Sequence, residues 1–361
     1  MFQKKNGFRA AGRYVLNTLL PASVLVSAVM LSTVPSGCRS SIEGVEFLEG
    51  DFFLPQVDSI QVCDSNRISM DFSKGVTIER AGICSEDGTE ESVSVESQDG
   101  ERRVDFVMEN RMVIGRKYVI DAVAVDEKGN SLTVSADFLG YNDRVPCLAL
   151  SEIRIKNKSK SDRSEFVELY ALTSGNLSGL ELVCASDGES KKYSFPPVEV
   201  SKGEYVVVHM RNGSDGCRDE TDGRLNAAST SDSSPLARDF FADNASEGRF
   251  GTGADVIALR NGASGKIMDA FVYADPGKPK AWTSQLESLA SQVQRDGAWL
   301  DSDGNSLCSM DTAFSTTTLN RESHSACRKN VQNLSPENLA SGAVQWYEVG
   351  TMKEQTPGRR N

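Results

Sequence analysis

The hexapeptide Glu165-Phe166-Val167-Glu168-Leu169-Tyr170 has a clear strand pattern within this 361-residue chain. Successive side chains of a β-strand point to opposite faces, so Val167 and Leu169 share one apolar face of this segment. In a β-sandwich, a strand buries such a face against a second sheet. The hexapeptide therefore predicts a sandwich strand.

Segments of the same kind lie on either side of the hexapeptide. They are short and apolar, and Gly179, Gly203 and Gly265 each precede one of them, as expected where a turn needs a positive φ. The segments are residues 148–155, 177–182, 193–195, 202–208, 253–259 and 265–273. They predict one β-sandwich domain over residues 146–361.

The part of the chain from residue 57 to residue 145 has a similar organisation. Short alternating segments are separated by turn-forming residues, and none has the 3.6-residue period of a helix. In one of them Ile68, Met70 and Phe72 share a face. The segments are residues 59–62, 67–72, 92–95, 103–107, 117–123 and 132–138. The sequence thus predicts an all-β protein with two immunoglobulin-like sandwich domains in tandem.

The order and spacing of motifs in residues 146–361 resemble a lamin tail domain, from Val167-Glu168-Leu169-Tyr170 to Thr356-Pro357-Gly358. That family is an immunoglobulin-like β-sandwich found in nuclear lamins and in exported bacterial proteins, and the resemblance implies this fold. The chain departs from the family pattern at Ala171, where an asparagine is usual. It also departs by two insertions, at about residues 210–250 and 274–341.

Residues 57–145 resemble the bacterial immunoglobulin-like modules of cell-surface proteins. The resemblance rests on Asp71-Phe72-Ser73-Lys74-Gly75-Val76 and on Asp126-Glu127-Lys128-Gly129-Asn130-Ser131-Leu132. It implies a spacer domain rather than a catalytic one.

The two insertions differ in composition. The first is rich in Asp, Ser, Gly and Asn, which predicts a solvated loop. The second holds the one predicted α-helix, with Ser284 and Glu287 as a capping box and Gly297 as its end. We expect the helix to pack its apolar face on the sandwich. A short helical turn is predicted at Ser335-Pro336-Glu337-Asn338-Leu339. The apolar helix face consists of Leu286, Leu289, Ala290 and Val293.

The first 37 residues have the layout of a secretory signal peptide. Four bases precede an uncharged stretch at residues 14–34, and Pro35-Ser36-Gly37-Cys38 follows it. A membrane-spanning anchor is the alternative, since residues 14–34 are about long enough to cross a bilayer. Pro21 and the small residues near the end favour cleavage. The four bases are Lys4, Lys5, Arg9 and Arg13.

Ser36-Gly37-Cys38 resembles the end of a bacterial lipobox, although Pro35 stands where that family prefers leucine. The resemblance implies that Cys38 is lipidated with diacylglycerol and palmitate, and that it begins the mature protein. Residues 38–56 would then be the lipidated cysteine and a tether to the membrane. The alternative is ordinary cleavage nearby, which would leave Cys38 as a thiol.

The chain has eight cysteines and no CxxC pair, which argues against a zinc or thioredoxin-type site. Export permits disulfides, although sequence does not fix their connectivity. Pairing by proximity would leave Cys147 alone once Cys38 is lipidated. The proximity pairs are Cys63–Cys84, Cys184–Cys217 and Cys308–Cys327.

Charge and residue content disfavour several classes of function. The formal net charge of −12 argues against nucleic-acid binding, which depends on Lys and Arg neutralising phosphates. Only two histidines are present, so histidine-based catalysis is disfavoured, and His324 is interpreted as an exposed loop residue. Asp301-Ser302-Asp303-Gly304-Asn305 resembles half of a calcium loop. Its twelfth position is Thr312 rather than glutamate, so we predict a β-turn there.

The carboxylates show no catalytic pattern either. Glu165 and Glu168 fall on opposite faces of one strand and are not expected to pair. The other acids are interpreted as solvated surface. We therefore expect no enzyme activity, no cofactor and no metal site.

Together these features predict an exported lipoprotein, held in the bacterial cell envelope by a lipid anchor, in the outer membrane or on the cell surface. It would bind a protein or glycan partner through loops and added surface. One alternative is an extracellular metal-dependent hydrolase of the nuclease or phosphatase type, because lamin-tail-like domains often accompany such enzymes. Another is a purely structural envelope protein.

Overall fold

The computed structural model describes residues 53–97, 99–158, 161–188, 191–243 and 248–360. Within them the chain forms β-strands and one α-helix, which confirms the all-β prediction. It divides into two compact units. The first comprises residues up to 61, 68–109 and 118–138, and the second comprises residues 62–67, 110–117 and 139 onward. The predicted signal peptide, Cys38 and most of the tether lie outside the described residues.

One sheet forms the first unit, with strands in the order β4-β5-β2-β6-β7 and with β1 and β3 also paired to β2. The predicted face of Ile68, Met70 and Phe72 is fully buried, as are Val104 and Phe106 of β5. The strands are β1 (Val57–Val62), β2 (Arg67–Ser85), β3 (Glu90–Glu91), β4 (Val93–Glu96), β5 (Glu101–Met108), β6 (Lys117–Asp126) and β7 (Ser131–Leu139).

Strand β2 is longer than its alternating pattern indicates. The pattern ends at Phe72, yet the strand continues to Ser85. Its second half pairs with β6 from Val76 onward, with an irregularity between Ile78 and Arg80. This half is rich in polar residues and contains glycine. The hydrogen bonds between β2 and β6, rather than the side chains of β2 itself, therefore keep it extended.

The second unit is a sandwich of two large sheets. One has the order β15-β14-β9-β8-β19-β20, the other has the order β12-β11-β16-β17-β18, and β10 pairs with β13. The strands are β8 (Leu148–Arg154), β9 (Phe166–Ala171), β10 (Gly175–Asn176), β11 (Leu180–Cys184), β12 (Tyr193–Ser194), β13 (Glu199–Val200), β14 (Tyr205–His209), β15 (Ala237–Phe241), β16 (Ala254–Asn261), β17 (Ile267–Ala274), β18 (Phe314–Ser315), β19 (Ser325–Arg328) and β20 (Trp346–Val349).

The hexapeptide forms the middle of this sandwich. Val167 and Leu169 of β9 belong to the core between the sheets, together with Val256 of β16 and Phe271 of β17. Phe166 points away from that core and is nevertheless fully buried, in a second cluster on the outer face of the sheet. Both faces of β9 are therefore covered, which its alternation alone does not reveal.

Within the described residues, the first predicted insertion is a largely exposed loop up to residue 236, but its last part is not. Its last part forms β15, an edge strand that runs parallel to β14 and is buried along its whole length. Acids before β15 accept hydrogen bonds from its main chain. Glu220 Oε2 accepts from the nitrogen of Asp239 at 3.0 Å, and Asp219 Oδ1 accepts from that of Phe241 at 2.7 Å. The Asp, Ser and Gly content suggested solvent because composition does not show where carboxylates point.

The second predicted insertion contributes to both the core and the sheet. Helix α1 (Ser284–Arg295) buries the predicted apolar face against the sandwich core. Its N-cap is Thr283, whose side chain accepts from the nitrogen of Leu286, rather than Ser284. The same segment supplies β19, which pairs with β8, so it is not merely an addition to the sandwich. The 3₁₀ turns are Pro279–Ala281, Met310–Thr312, Val331–Asn333, the predicted Pro336–Asn338, and Ala343–Gln345.

The described residues contain no helix of the length and apolarity that a bilayer span requires.

Candidate functional site

An open groove of about 610 Å³ lies on the second unit, where β15 ends and β12 begins. Its floor includes Phe241 and Ala242, and Pro196 lies on its wall. We call this cavity the groove. Its polar lining consists of Lys191, Lys192, Tyr193, Ser194, Asp219, Asp243 and Arg249.

Asp187 fixes the basic wall of the groove. Its two carboxylate oxygens lie 3.2 Å from Lys191 Nζ and 3.4 Å from Arg249 Nε. Arg249 also donates from Nη1 to the carbonyl oxygen of Lys191 at 2.6 Å. Asp187 and Arg249 are both largely buried, so their contact is shielded from solvent screening, whereas the Lys191 side chain is 53% exposed. Asp187 and the carbonyl oxygen of Lys191 therefore orient Arg249 at the groove.

The lining also supplies a phenol and acidic groups. Burial raises the pKa of Asp219 and of Tyr193 above their ordinary values. The Tyr193 ring packs edge-on against Phe195, with 5.1 Å between ring centroids. The groove thus combines fixed cations, a phenol and carboxyl groups, a lining suited to a polar ligand that carries both donors and acceptors.

Two acidic residues are buried side by side, which the sequence did not predict. Glu152 of β8 and Glu168 of β9 are direct partners across the two strands, and both are fully buried. The interpretation of acids outside Glu165 and Glu168 as solvated surface is therefore wrong for Glu152. Glu168 does have an acidic partner, but it comes from the neighbouring strand rather than from its own. Burial is the main cause that raises the pKa of each.

Three further buried acids have pKa values raised mainly by desolvation. The pKa of Glu165 rises to about 7, and those of Asp255 and Asp269 rise to about 6. Asp269 accepts from Arg328 Nη1 at 2.6 Å, an ion pair with no exposed side-chain surface that joins β17 to β19 across the sandwich. Strand pattern locates such residues on a face but cannot show that the face is covered.

Both histidines pair with carboxylates. His209 Nε2 lies 2.7 Å from Asp239 Oδ1, and both side chains are 1% exposed. The His209 ring stacks on Phe241, with 4.6 Å between centroids, so it is enclosed rather than open to a substrate. His324 bonds through Nδ1 to Glu348 Oε1 and is only 14% exposed, so its interpretation as an exposed loop residue is wrong.

The cysteines are not joined as proximity suggested. Cys84, Cys184 and Cys308 are free thiols, so none of the three pairs is formed in this structure. Cys184 Sγ lies 3.7 Å from the carbonyl oxygen of Arg249, while Cys217 Sγ lies 3.3 Å from Ser214 Oγ. Each thiol of this suggested pair thus has a different neighbour. Cys38 lies outside the described residues.

Within the described part of the chain, no three His, Cys, Asp or Glu side chains converge as metal ligands. The predicted β-turn at residues 301–305 is confirmed. Asp301 Oδ1 accepts from the nitrogens of Asp303 and Asn305 at 2.9 and 2.8 Å. The carboxylate therefore stabilises the turn itself.

Comparison with solved structures gives matches of low TM-score. The N-terminal part of the bacterial S-layer protein SbsC is 20% identical, with 43% of this chain and 40% of that chain covered and a TM-score of 0.24. A DUF4876 family protein from Bacteroides thetaiotaomicron is 8% identical, with 78% and 91% covered and a TM-score of 0.29. Domains 1–6 of SbsC are 12% identical, with 58% and 40% covered and a TM-score of 0.24.

An uncharacterized protein of Treponema pallidum (strain Nichols) is 30% identical over 195 residues, which are 52% of this chain and 48% of that protein. The chain thus spans about half the length of this curated relative. The family model named TP_1001_2nd and described as "protein second domain" matches residues 146–347, which include helix α1, the groove and both large sheets except the end of β20. Because that match covers more than half of the chain, the protein belongs to the TP_1001 second-domain family.

Proposed function

We propose that this protein is a lipoprotein of the bacterial cell envelope that binds a protein or glycan partner through the groove. The support for export is the pattern at the start of the chain, with bases before an uncharged stretch at residues 14–34. The support for the lipid anchor is Ser36-Gly37-Cys38. In this proposal the first unit is a spacer and the second unit presents the binding surface.

The groove carries the binding part of the proposal. It is concave and polar, and contacts with Asp187 and with the carbonyl oxygen of Lys191 orient Arg249. A side chain that is already oriented loses less conformational entropy on binding. The groove is also large enough to hold part of a peptide or a short saccharide, since small-ligand sites typically measure about 300–1,000 Å³.

Cell fractionation of the wild type and of Cys38→Ala tests the anchor. We expect the wild type in the membrane fraction and the variant in the soluble fraction, because the variant cannot be acylated. If protease added to intact cells removes the wild type, the protein faces outward. Retention of both proteins through an uncleaved N-terminus would instead make residues 14–34 a membrane anchor and would refute the lipoprotein proposal.

Photo-crosslinking in intact cells tests the groove. A photoreactive residue at Ser194, an exposed residue of the groove, should yield crosslinked products in cells. The matched control is the same residue at Ser264, which is exposed in the turn before β17 and does not line the groove. Products of equal abundance from both positions, or none from Ser194, would favour the purely structural role.

A further inference from the structure

Two buried glutamates hold the segment of residues 351–360, here termed the latch segment. Glu152 Oε2 accepts hydrogen bonds from the nitrogen and the hydroxyl of Thr356, at 2.9 and 3.0 Å. Glu168 Oε2 accepts from the nitrogen of Gly358 at 2.6 Å. The latch segment therefore lies on the outer face of β8 and β9 and is bonded directly to both carboxyl groups.

The latch segment fits closely against its surroundings. Gln355 is 2% exposed and accepts from Arg154 Nη1 at 3.1 Å. Gly358 has a φ of +78°, and a Cβ there would lie 2.5 Å from the Cβ of Ser234 and 2.8 Å from that of Ala237. A segment seated this closely excludes water from the glutamates beneath it.

Glu152 and Glu168 face each other across an antiparallel pair of strands, and both are fully buried. Side chains at such directly opposite positions have Cβ atoms about 4.5–5.5 Å apart. Two carboxylates on directly opposite residues of a buried strand pair repel each other, so one of them retains a proton well above its ordinary range. Burial, followed by the charge of Glu152, raises the pKa of Glu168 well above its usual value.

Nearby charges do not remove this repulsion. Arg154 favours the ionised form of Glu152, but Asp232, itself buried, already bonds to its guanidinium. Hydrogen bonds from Ser325 and Thr356 favour the ionised form of Glu152 without offsetting the effect of burial. The charged and titratable groups facing the pair from the packed elements are Arg154 of β8, Tyr205 of β14, Cys327 of β19, Tyr347 of β20, Asp232 before β15 and Arg359 of the latch segment.

We propose that one of the two glutamates, Glu152 or Glu168, stays protonated while the latch segment is closed, and that loss of this proton opens the segment. When both groups are ionised, the closed segment keeps two repelling carboxylates away from water. Opening lets water reach them, which weakens this repulsion. Opening also breaks the hydrogen bonds that hold Thr356 and Gly358. A rise in pH would thus open the latch segment and expose the outer face of β8 and β9.

Hydrogen–deuterium exchange of the full chain between pH 5.5 and pH 8 tests the proposal. Protection factors, which are corrected for the intrinsic pH dependence of exchange, should fall about tenfold per pH unit for the latch-segment amides, because opening releases one proton. Amides of β16 should keep their protection over this range, which separates local opening from global unfolding. A wild-type latch segment whose protection does not change with pH would overturn the proposal.

Glu168→Gln identifies the pair as the cause. The amide oxygen still accepts from Gly358, but the second charge cannot form, so protection of the latch segment should depend on pH less steeply than in the wild type, with only the burial of Glu152 left to contribute. Glu152→Gln is the second variant and should behave alike if Glu168→Gln does not fold. Glu287→Gln, on the exposed face of α1, is the matched control and should retain the wild-type slope. The same slope in either pair variant as in this control would refute the proposal.

Discussion

At the scale of single residues, Asp126 and Asp301 each close a five-residue turn of the pattern Asp-x-x-Gly-Asn. Asp126 Oδ1 accepts from the nitrogens of Lys128 and Asn130 at 2.9 and 2.8 Å, and Asp301 makes the equivalent two bonds. The glycines have φ values of 82° and 84°, which few other residues adopt. The two turns differ in their surroundings, because Asp126 also lies 3.4 Å from Lys74 Nζ.

Asp126→Ala should lower the melting temperature of the first unit by roughly 5 °C, the order of effect expected when a capping side chain is lost from a small domain. A hydrogen bond from Asn130 is the main cause that lowers the pKa of Asp126 to about 2. Its stabilising effect is therefore present above pH 4 and disappears as the pH falls towards 2. Circular-dichroism melts at pH 7 and pH 2 measure this, and a difference that persists undiminished at pH 2 would contradict it.

Residue spacing predicted the turn at Asp301 because the hydrogen bonds of its carboxylate lie within five consecutive residues. Spacing could not predict the Glu152–Glu168 pair, whose members belong to different strands. It identified which residues of the hexapeptide share a face. It did not reveal that the face bearing Glu168 is covered by residues nearly two hundred positions later in the chain.

At the scale of secondary-structure elements, strands with an apolar pattern of their own were predicted, whereas strands that depend on contacts with distant segments were missed. Strands β9, β14 and β16 contain enough apolar residues to be recognised alone. Strands β15 and β19 contain Arg and Asp or Ser and Arg, and they are strands because their neighbours supply hydrogen-bond partners. The groove depends on the position of β15, so it could not be predicted from the sequence either.

Strand β15 is an edge strand, and Glu220 covers its exposed side. Besides the nitrogen of Asp239, Glu220 accepts from the nitrogens of Ala227 and Ala228, at 2.8 and 3.1 Å. Its side chain thus replaces the hydrogen bonds that a further strand would make. An uncovered edge is a site for pairing between molecules. The acid-rich segment before β15 therefore protects the sheet.

Glu220→Ala should destabilise the second unit by about 1–3 kcal/mol, the cost of leaving buried main-chain donors without partners. It should also promote association, because the edge of β15 becomes available. Chemical denaturation and size-exclusion chromatography measure the two effects. Asp222→Ala is the matched control, since Asp222 lies in the same segment but bonds to Arg224 at the surface. Equal destabilisation by both substitutions would contradict the edge-covering role.

At the scale of the whole molecule, buried acids make the stability of the second unit depend on pH in an unusual direction. An acid whose pKa is raised by folding stabilises the folded chain below its unfolded pKa, and this contribution is lost as the pH rises through the folded value. Glu165, with a pKa of about 7, and Asp255 and Asp269, with values of about 6, all act in this sense. The net charge of −12 adds repulsion in the same direction, but salt screens that part.

The second unit should therefore be most stable near pH 5 and lose stability as the pH rises to 8, and high salt should not abolish the loss. Glu165 alone should account for on the order of 3 kcal/mol, since each unit of pKa shift corresponds to about 1.4 kcal/mol. Denaturant unfolding at pH 5 and pH 8, in low and high salt, measures the loss. Glu165→Gln removes the titrating group and should reduce the difference, whereas Glu287→Gln should leave it unchanged. A loss that disappears entirely in high salt would assign the pH dependence to surface charge and not to the buried acids.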